Sequence, residues 1–445
     1  MIFRRLAFAC VGALALVAVG VHFFVPPFLK AGTGITAKQV CSLTFVSGFT
    51  PDEAWELYLE PILQPFTPIL SYHVDDASRE VTAAAFGFGW KSRAIYRDGI
   101  GCTLVHGRGA GFDRSARVPS RGAPVPMAID EEYLDQNFDR AALNAAVDAA
   151  FANRSASTLA VVVLHDGQLV AERYAPGISE ETPLHGWSMT KSAAATMAGV
   201  LSLRGELDVF AAGAVPPLVQ AGRPDISVND LLRMQAGLAI DERNDGFDPN
   251  SDMLFTEADM PAFAAMRKKV AEPGAVWDYQ SGQTNLAGTA YREVLGSDVV
   301  AEVEAVRDLL FEPLGIRTAV LEPDQAGNFV WSSYMYASAR DWARLGQLYV
   351  AGGVAPDGTR LIPEHWPVYV AEPTAQSGGN YGAGFWLTGL SEDAIVMDGF
   401  QGQSTYILPK ERLVIVRLAA EAGWSGTARD LARSVVAAYR ETAEE

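Results

Sequence analysis

Two strand-length apolar runs separated by a turn dipeptide give the first structural expectation for this chain. Residues 159–164 read Leu-Ala-Val-Val-Val-Leu, and residues 168–174 continue after Asp166-Gly167. Apolar runs joined through Asp-Gly are typical of a β-hairpin. The C-terminal part of the chain adds further strand-length runs, at 381–387, 394–397, 404–408 and 413–418.

Helical patterns lie beside and between these strands. Residues 140–153 have helical periodicity, and Thr427–Tyr439 is an amphipathic stretch without Gly or Pro. The segment over roughly 200–330 is mostly helical in pattern. We therefore predict a mixed α/β (α+β) fold. Its antiparallel sheet is built from both ends of a main domain, residues 136–445, and is flanked by helices and interrupted by a helical insertion.

The segment before the main domain has signals of its own. A helix start with acidic first-turn residues lies at 51–58, and strands are predicted at 81–88 and 92–96. No constellation of catalytic residue types occurs in this part of the sequence. We predict a small accessory N-terminal subdomain over residues 36–135.

The first residues carry a targeting signal. Arg4 and Arg5 precede an uncharged, mostly apolar run over residues 6–25, which is long enough to cross a bilayer as a helix. Basic residues before such a run favour a cytoplasmic N-terminus and an exported remainder. A cleaved signal peptide with a small-residue site at 18–20 is the alternative. Residues 1–35 are thus predicted to be a membrane anchor, leaving the protein on the periplasmic face of the inner membrane, or a signal peptide, leaving it in the periplasm.

The charge balance restricts the partners. The 445 residues carry 35 Lys and Arg against 53 Asp and Glu, a net charge of −18. Nucleic-acid binding needs a basic surface, so we expect no nucleic-acid partner. The six histidines show no paired spacing for zinc, and we expect neither a metal nor an organic cofactor. The oligomeric state stays open.

Two of the three cysteines, Cys41 and Cys102, lie in the accessory region. A pair of cysteines in an exported segment suggests one disulfide. Such a bridge would stabilise the region before the main domain and take no part in chemistry. Two free buried thiols are the alternative.

The tetrapeptide Ser188-Met-Thr-Lys191 opens a helix-like run and suggests nucleophilic chemistry. Positions i and i+3 share one face of a helix, so the lysine amine can lie beside the serine hydroxyl. An adjacent base is one way to activate a serine, and Ser-Lys pairs do so in several hydrolase families. The alternative is an ordinary helix start with Ser188 as its N-cap.

Two later segments supply further candidate groups. Tyr279 and Ser281 lie in a Gly-bounded loop that leads into a helix. A phenol near an ammonium group can relay a proton to a leaving group, although a buried structural tyrosine is the alternative. In the segment 399–403, Gly402 would let the backbone approach a bound carbonyl, and the N–H groups of Gln403 and Ser188 could form an oxyanion hole. A turn at a strand edge is the alternative there.

Ser-x-x-Lys, then Tyr-x-Ser, then a strand-borne x-x-Gly, in this order, resembles the serine β-lactamase and penicillin-binding-protein superfamily. The variant with tyrosine in second place is similar to class C β-lactamases and family VIII esterases. The loop Pro-Gly-x-Val-Trp-x-Tyr-x-Ser-Gly-x-Thr-Asn-Leu, at 273–286, is similar to the 6-aminohexanoate-dimer (nylon-oligomer) hydrolases. The resemblance covers roughly residues 138–440. It implies a β-lactamase/transpeptidase-like fold.

The resemblance also implies roles for single residues. Ser188 matches the acylated nucleophile and Lys191 its general base. Tyr279 matches the group that shuttles the proton to the leaving amine or alcohol and activates the deacylating water. Ser281 matches the third member of the Tyr-x-Ser motif.

Phe400 departs from the family pattern, because many members carry Lys or His at this place. A cation there usually holds a substrate carboxylate, as in β-lactams and peptidoglycan stems. An apolar Phe suits a small-molecule ester or plain amide better. The expected function is therefore an amide or ester hydrolase. A β-lactamase or DD-peptidase is the alternative, and a non-catalytic binding or sensor protein on the same fold is a second.

Aromatic residues near the motifs are candidates for an apolar pocket, although core packing explains each of them as well. His185 precedes Ser188 by three positions and is a further candidate, with a satisfied loop histidine as the alternative. The aromatic candidates are Trp187, Tyr381, Phe385 and Trp386.

Overall fold

The computed structural model describes residues 27–109, 112–120, 122–296 and 298–440. Within these ranges no helix combines the length and the apolar character needed to cross a bilayer. The membrane-spanning segment predicted at 6–25 lies outside the described residues.

A six-stranded antiparallel sheet forms the centre of the main domain, in the order β10-β11-β12-β13-β5-β6. The predicted hairpin is present as its last two strands. The strands from the two ends of the domain meet where β13 pairs with β5, with Val163 opposite Ile415. The bounds are β5 Thr158–His165, β6 Gln168–Tyr174, β10 Trp386–Leu387, β11 Ile395–Gly399, β12 Gln403–Leu408 and β13 Leu413–Ala419.

Both faces of this sheet are covered, which explains the unbroken apolar run of β5. Ala160, Val162 and Leu164 belong to the larger core cluster, whereas Val161 and Val163 belong to a second cluster on the other face. Strands buried on both faces read as continuous apolar runs instead of alternating ones. Helices α5 Arg140–Ala152 and α15 Thr427–Ala438 cover the face with the second cluster.

Of the remaining helices, α4 contributes Leu134 to the second cluster, and the others lie in the chain between β6 and β10, in and beyond the segment where a helical insertion was predicted. A small sheet of β7 Leu184–His185, β8 Val320–Leu321 and β9 Met335–Ala337 accompanies them, in the order β7-β9-β8. The helices are α4 Glu131–Asn137, α6 Met189–Leu203, α7 Pro216–Gln220, α8 Val228–Leu232, α9 Pro249–Thr256, α10 Met260–Ala265, α11 Ser281–Leu295, α12 Val299–Val306, α13 Ala339–Val350 and α14 Trp366–Ala371.

The strand predicted at 381–387 is wrong over most of its length. Only Trp386 and Leu387 belong to β10, and Tyr381 forms an isolated bridge with Trp386. The glycines at 382 and 384 explain the difference. A Cβ at Gly382 would lie 1.9 Å from the carbonyl oxygen of Val370, so this stretch packs its backbone directly against a helix instead of a neighbouring strand.

The N-terminal region has its own four-stranded antiparallel sheet, in the order β1-β2-β3-β4. Two of these strands, β2 and β3, were predicted. The predicted helix start at 51–58 is present, with a capping box between Thr50 and Glu53. The bounds are α1 27–45, α2 Pro51–Ala54, a π-helical turn Trp55–Leu59, α3 Glu60–Leu63, β1 Leu70–Asp75, β2 Glu80–Ala85, β3 Gly89–Arg97 and β4 Gly101–Leu104.

This region shares one hydrophobic core with the main domain. Ala37 and Val40 of α1 belong to the same buried cluster as Leu321 and Ala337. The predicted disulfide is present and joins Cys41 of α1 to Cys102 of β4, with their Cα atoms 6.1 Å apart. The domain boundaries stay a prediction. The structure adds that α1 packs into the hydrophobic core of the main domain.

A buried ion pair ties α1 to the main domain. Lys38 and Glu322 are both fully buried and form a salt bridge. Glu322 also accepts hydrogen bonds from Ser42 Oγ, at 2.9 Å, and from the backbone N–H of Cys102, at 2.5 Å. Burial lowers the pKa of Lys38 and raises the pKa of Glu322, and their mutual attraction opposes both shifts.

We expect loss of the disulfide to destabilise the protein. The bridge closes a loop with a sequence separation of 61 residues. Loop-closure entropy then gives a contribution of about 4 kcal/mol to the free energy of unfolding. Urea unfolding of the Cys41→Ser/Cys102→Ser variant should show a loss of this order, and dithiothreitol should destabilise the unchanged protein but not the variant. Equal stability of the two proteins would contradict the expectation.

Removal of one partner of the buried ion pair should cost more than removal of both. Glu322→Leu leaves the Lys38 ammonium buried without its counter-charge, which costs about 3–5 kcal/mol. The double variant Lys38→Met/Glu322→Leu should regain a large part of this loss in urea unfolding. Arg79→Ala, which removes an exposed ion pair with Asp98, is the matched control and should change stability little. A double variant that is less stable than Glu322→Leu would rule this account out.

Candidate active site

Ser188 lies at the N-terminal end of α6, directly after a strained turn. Trp187 has a positive φ of 47°, a conformation that large side chains rarely adopt. Ser188 itself occupies the N-cap position, yet its hydroxyl makes no capping hydrogen bond. The alternative of a plain helix cap is therefore wrong. The hydroxyl is partly exposed and points instead at a lysine.

Lys191 Nζ lies 2.9 Å from Ser188 Oγ, as the i, i+3 spacing predicted. It also lies 3.0 Å from Ser281 Oγ and 3.2 Å from the carbonyl oxygen of Ser332. A carbonyl can only accept, so one N–H of the amine is directed to Ser332. A neutral amine keeps a second N–H for Ser281 and a lone pair for the proton of Ser188. The arrangement can therefore take a proton from the serine.

Burial lowers the pKa of Lys191 to about 8, and the negative charge of Glu242 works in the opposite direction. The lysine side chain is 1% exposed. At pH 7 a group with this pKa of about 8 is neutral in roughly a tenth of the molecules. The neutral form is nevertheless far more populated than in an exposed lysine.

Glu242 is a site residue that sequence reasoning missed. It lies in the loop before α9, outside every motif, and accepts a hydrogen bond from the backbone N–H of Ser281. Burial raises the pKa of its carboxyl group, whereas the Lys191 ammonium and the Ser281 hydrogen bonds lower it. The two charges thus influence each other's protonation. No spacing in the sequence relates position 242 to the serine or the lysine.

Tyr279 lies in the loop that precedes α11, and its ring faces the Lys191 amine. Lys191 Nζ is 4.8 Å from the centroid of its ring. The ring is held between Tyr381, at 5.7 Å, and Trp386, at 5.2 Å, between centroids. Burial raises the pKa of the phenol well above its usual value, with Tyr381 and Glu242 adding to the shift and a hydrogen bond to Ser188 opposing it. The phenol is therefore protonated at neutral pH and is placed beside the serine.

The third motif lies beside the serine turn, and the oxyanion role expected for its backbone stays a prediction. Gly402 has a φ of +80°, and a Cβ there would lie 2.5 Å from Arg417 Nη1, so crowding explains the glycine. The Gln403 side chain turns away from the serine and bonds both backbone groups of Ala419. Phe400 is 46% exposed and packs edge-on against Trp187, with centroids 5.5 Å apart.

Gln401 is the second site residue that the sequence did not reveal. Its Oε1 accepts from Trp187 Nε1 at 3.0 Å, and its Nε2 donates to the carbonyl oxygen of Tyr58 at 2.9 Å. Its own φ is +61°. One buried side chain thus connects the serine turn, the loop before β12 and the N-terminal region. A glutamine in a turn carries no sequence signal for such a role.

Two cavities meet at Ser188. The first cavity, of about 320 Å³, extends from the serine to α1 and the segment 62–70. The second cavity, of about 660 Å³, opens on the other side, past Tyr279, Trp386 and Gly402 towards the loop after β13. Residues that line both cavities are Ser188, Glu242, Asn244 and Phe400. The serine is therefore open to ligand from two directions.

The other pocket candidates divide into lining and core residues. Trp187 lines the first cavity and Trp386 the second. Tyr381 and Phe385 are buried, and Phe385 packs against Tyr349 with centroids 4.9 Å apart. His185 is fully buried and stacks on a tyrosine ring at 4.3 Å. Its Nε2 bonds the carbonyl oxygen of Ser333, whereas its Nδ1 has no hydrogen-bond partner among the described residues, so it is a core histidine that is only half satisfied.

Comparison with known proteins agrees with the motifs. A family model described as Beta-lactamase matches residues 143–440. The 6-aminohexanoate-dimer hydrolase of Paenarthrobacter ureafaciens is 27% identical over 291 residues, which cover 59% of this chain and 72% of that protein. The N-terminal region and α1 lie outside the family match.

Solved structures show the same fold. A Bacillus anthracis protein described as a 6-aminohexanoate-dimer hydrolase superimposes with a TM-score of 0.57 at 22% identity, covering 71% of this chain and 86% of that one. A family VIII carboxylesterase superimposes with a TM-score of 0.55 at 18% identity, covering 72% of this chain and 100% of that one. The predicted β-lactamase/transpeptidase-like fold is confirmed.

The reactivity of Ser188 should depend on pH through Lys191. Labelling by a fluorophosphonate, a reagent for activated serines, should accelerate as pH rises through about 8, because the neutral amine accepts the serine proton. Glu242 favours the ammonium form, so Glu242→Gln should move this midpoint to lower pH. Asp241→Asn, an exposed neighbour in the same loop, is the control and should leave the midpoint in place. An unshifted midpoint in Glu242→Gln would contradict the coupling.

Proposed function

The chain belongs to the beta-lactamase family of hydrolases, and from this premise we propose that it cleaves an amide or ester bond of a small molecule through an acyl-Ser188 intermediate. One observation carries the proposal. The Lys191 amine lies within hydrogen-bond distance of a serine hydroxyl that is not used for helix capping and that is open to two cavities.

Acylation would proceed as follows. Neutral Lys191 accepts the proton of Ser188, and Oγ forms a bond to the substrate carbonyl carbon. The negative charge that develops on the carbonyl oxygen lies near the N-terminal end of α6, where backbone N–H groups point outwards. The N–H groups of Ser188 and Gln403 are the proposed donors. Tyr279 then gives its proton to the leaving amine or alcohol as the carbonyl–heteroatom bond breaks, and regains one from Lys191.

Deacylation would reverse these proton movements. A water molecule takes the place of the leaving group beside Tyr279 and loses a proton, relayed by the Tyr279 phenol, to the neutral Lys191 amine while its oxygen attacks the acyl carbon. Ser188 Oγ departs and recovers its proton, which releases the acid. Lys191 and Tyr279 thus return to their starting protonation states in each half, and the proton that Ser188 recovers in the second half comes from the water molecule. Ser281 Oγ and the Ser332 carbonyl oxygen would keep the amine in position throughout.

We propose that the protein prefers linear amides and esters over β-lactams as substrates. Phe400 occupies the place where a carboxylate-binding cation is common in the family. Arg417 lines the second cavity, but it is 1% exposed and is bonded to the carbonyl oxygen of Gly402 and to Glu421. The curated relative is named for hydrolysis of a linear amide dimer. A β-lactamase or DD-peptidase activity is the alternative that the assay below also tests.

The proposed location is outside the cytoplasm, tethered by residues 6–25 or released after their cleavage. The support is the pair of arginines before the apolar run. The disulfide between Cys41 and Cys102 is in keeping with an oxidising compartment.

Single substitutions at the three proposed catalytic groups should separate their roles. Hydrolysis of p-nitrophenyl butyrate, the 6-aminohexanoate dimer and nitrocefin can be followed side by side. Ser188→Ala and Lys191→Ala should abolish acylation, because the nucleophile or its base is absent. Tyr279→Phe should lower kcat about 10²–10⁴-fold, since it removes a proton relay.

Ser202→Ala, near the other end of α6, is the matched control and should retain full activity. Turnover of nitrocefin above the linear substrates would favour the β-lactamase alternative. Ser188-independent turnover, or no labelling of Ser188 by any activated ester, would reject the acyl-enzyme mechanism and favour a non-catalytic protein on this fold.

A further inference from the structure

One wall of the first cavity is formed by residues that precede the family match. Its lining includes residues of α1, α3 and the start of β1, all before the family match at 143–440. These residues are apolar almost throughout. The N-terminal lining consists of Phe28, Leu29, Ala31, Gly32, Ile35, Ile62, Leu63, Gln64, Phe66, Ile69 and Leu70.

Helix α1 turns one face into this cavity. Phe28, Gly32 and Ile35 follow each other at spacings of four and three, so they lie on one side of the helix. All three are partly exposed, whereas the residues between them are mostly buried, because their face borders open space instead of protein. A Cβ added at Gly32 would meet Leu70 only at 3.6 Å, an ordinary contact distance.

Three phenylalanine rings cluster at one side of the first cavity, of which Phe28 and Phe66 line it. Phe28 stacks on Phe247 with centroids 4.5 Å apart and meets Phe66 edge-on at 4.6 Å. Phe66 and Phe247 are 41% and 55% exposed. Exposed apolar side chains gathered at the mouth of a pocket mark a surface for an apolar ligand.

The wall over residues 242–251 is polar, and two of its hydrogen-bond donors are used within the wall. Asn250 Nδ2 donates to Asn244 Oδ1 at 2.8 Å. Ser251 Oγ donates to Asp248 Oδ2 at 2.6 Å. The N-terminal side of the first cavity, α1 and the segment 62–70, therefore offers a ligand apolar contacts, whereas the side over residues 242–251 offers polar ones.

The position of Tyr279 decides which half of a substrate enters which cavity. Tyr279 lines the second cavity and is not among the residues around the first. A leaving group that takes its proton from this phenol must lie in the second cavity. The acyl group, bonded to Ser188, then extends into the first.

We propose that the acyl half of the substrate is an unbranched apolar chain held against α1. The inference rests on the acyl-Ser188 mechanism proposed above and deepens it. The cavity volume of about 320 Å³ is roughly ten times the ~30 Å³ that one water molecule takes in the liquid. A methylene group is of similar size, so the cavity holds a chain of roughly eight to ten carbons.

The test is a series of p-nitrophenyl esters from acetate to dodecanoate with the full chain. Each methylene that enters an apolar cavity should raise kcat/KM about fourfold, and the rise should stop near ten carbons. Gly32→Leu fills the cavity next to Leu70 and should shorten the preferred chain while acetate hydrolysis continues. Ile35→Trp should shorten the preferred chain as well, so that the test does not depend on one variant that could misfold.

Lys30→Leu is the matched control. Lys30 lies on the same helix but is exposed and outside the cavity, so its replacement should leave the chain-length profile unchanged. A flat profile in the unchanged protein, or a profile that neither Gly32→Leu nor Ile35→Trp alters, overturns the inference. Ser188-dependent hydrolysis of acetate would then still support the proposed function.

A binding measurement distinguishes a failure of this inference from a failure of the proposed hydrolase function. In the Ser188→Ala variant, which cannot be acylated, decanamide should bind at least tenfold more tightly than acetamide, and Gly32→Leu should remove this difference. Equal binding of the two amides overturns the inference whether or not the protein is a hydrolase. Presentation of the decanoyl ester in phosphatidylcholine vesicles identifies the source of the chain, because faster turnover there than in solution indicates a membrane lipid and slower turnover a soluble ester.

Discussion

The carboxylate of Glu322 holds three parts of the chain at one buried point. It accepts from Lys38 and Ser42 of α1 and from the backbone of β4 at Cys102. Gly101 permits this approach, because a Cβ there would lie 2.5 Å from the carboxylate side chain. A buried charge without these partners would be too costly to keep. The position of α1, and with it the wall of the first cavity, therefore depends on a residue of the main domain far away in sequence.

Around Ser188 a second balance operates, between burial and charge. Burial of Lys191 favours the neutral amine, whereas the negative charge of nearby Glu242 favours the ammonium form. The result is a pKa of about 8, between those of an exposed lysine and a fully desolvated one. Tyr279 is in the same environment, and its phenol keeps its proton. One buried pocket thus holds a base that is neutral in part of the molecules and an acid that is protonated.

The sequence predicted what local spacing determines. The apolar runs predicted β5, β11, β12 and β13, and the i, i+3 spacing predicted the contact of Ser188 with Lys191. Sequence-based prediction failed where the role of a residue depends on contacts with residues far away in the sequence. Glu242 and Gln401 belong to no motif, and the loop after Tyr381 is irregular because glycines bring its backbone against a helix. The oxyanion role predicted around Gly402 stays a prediction, and the structure adds that Arg417 crowds the place of a Cβ there.

The pairing of β5 with β13 has a consequence for how the protein is made. When the ribosome has completed the serine turn and Tyr279, four of the six strands of the central sheet are still missing. Until residues 413–419 emerge, β5 has an open apolar edge, and such edges pair with other chains. Long-range pairing of this kind also slows folding. A chain that ends before residue 413 would carry the serine, the lysine and the tyrosine without the sheet that positions them.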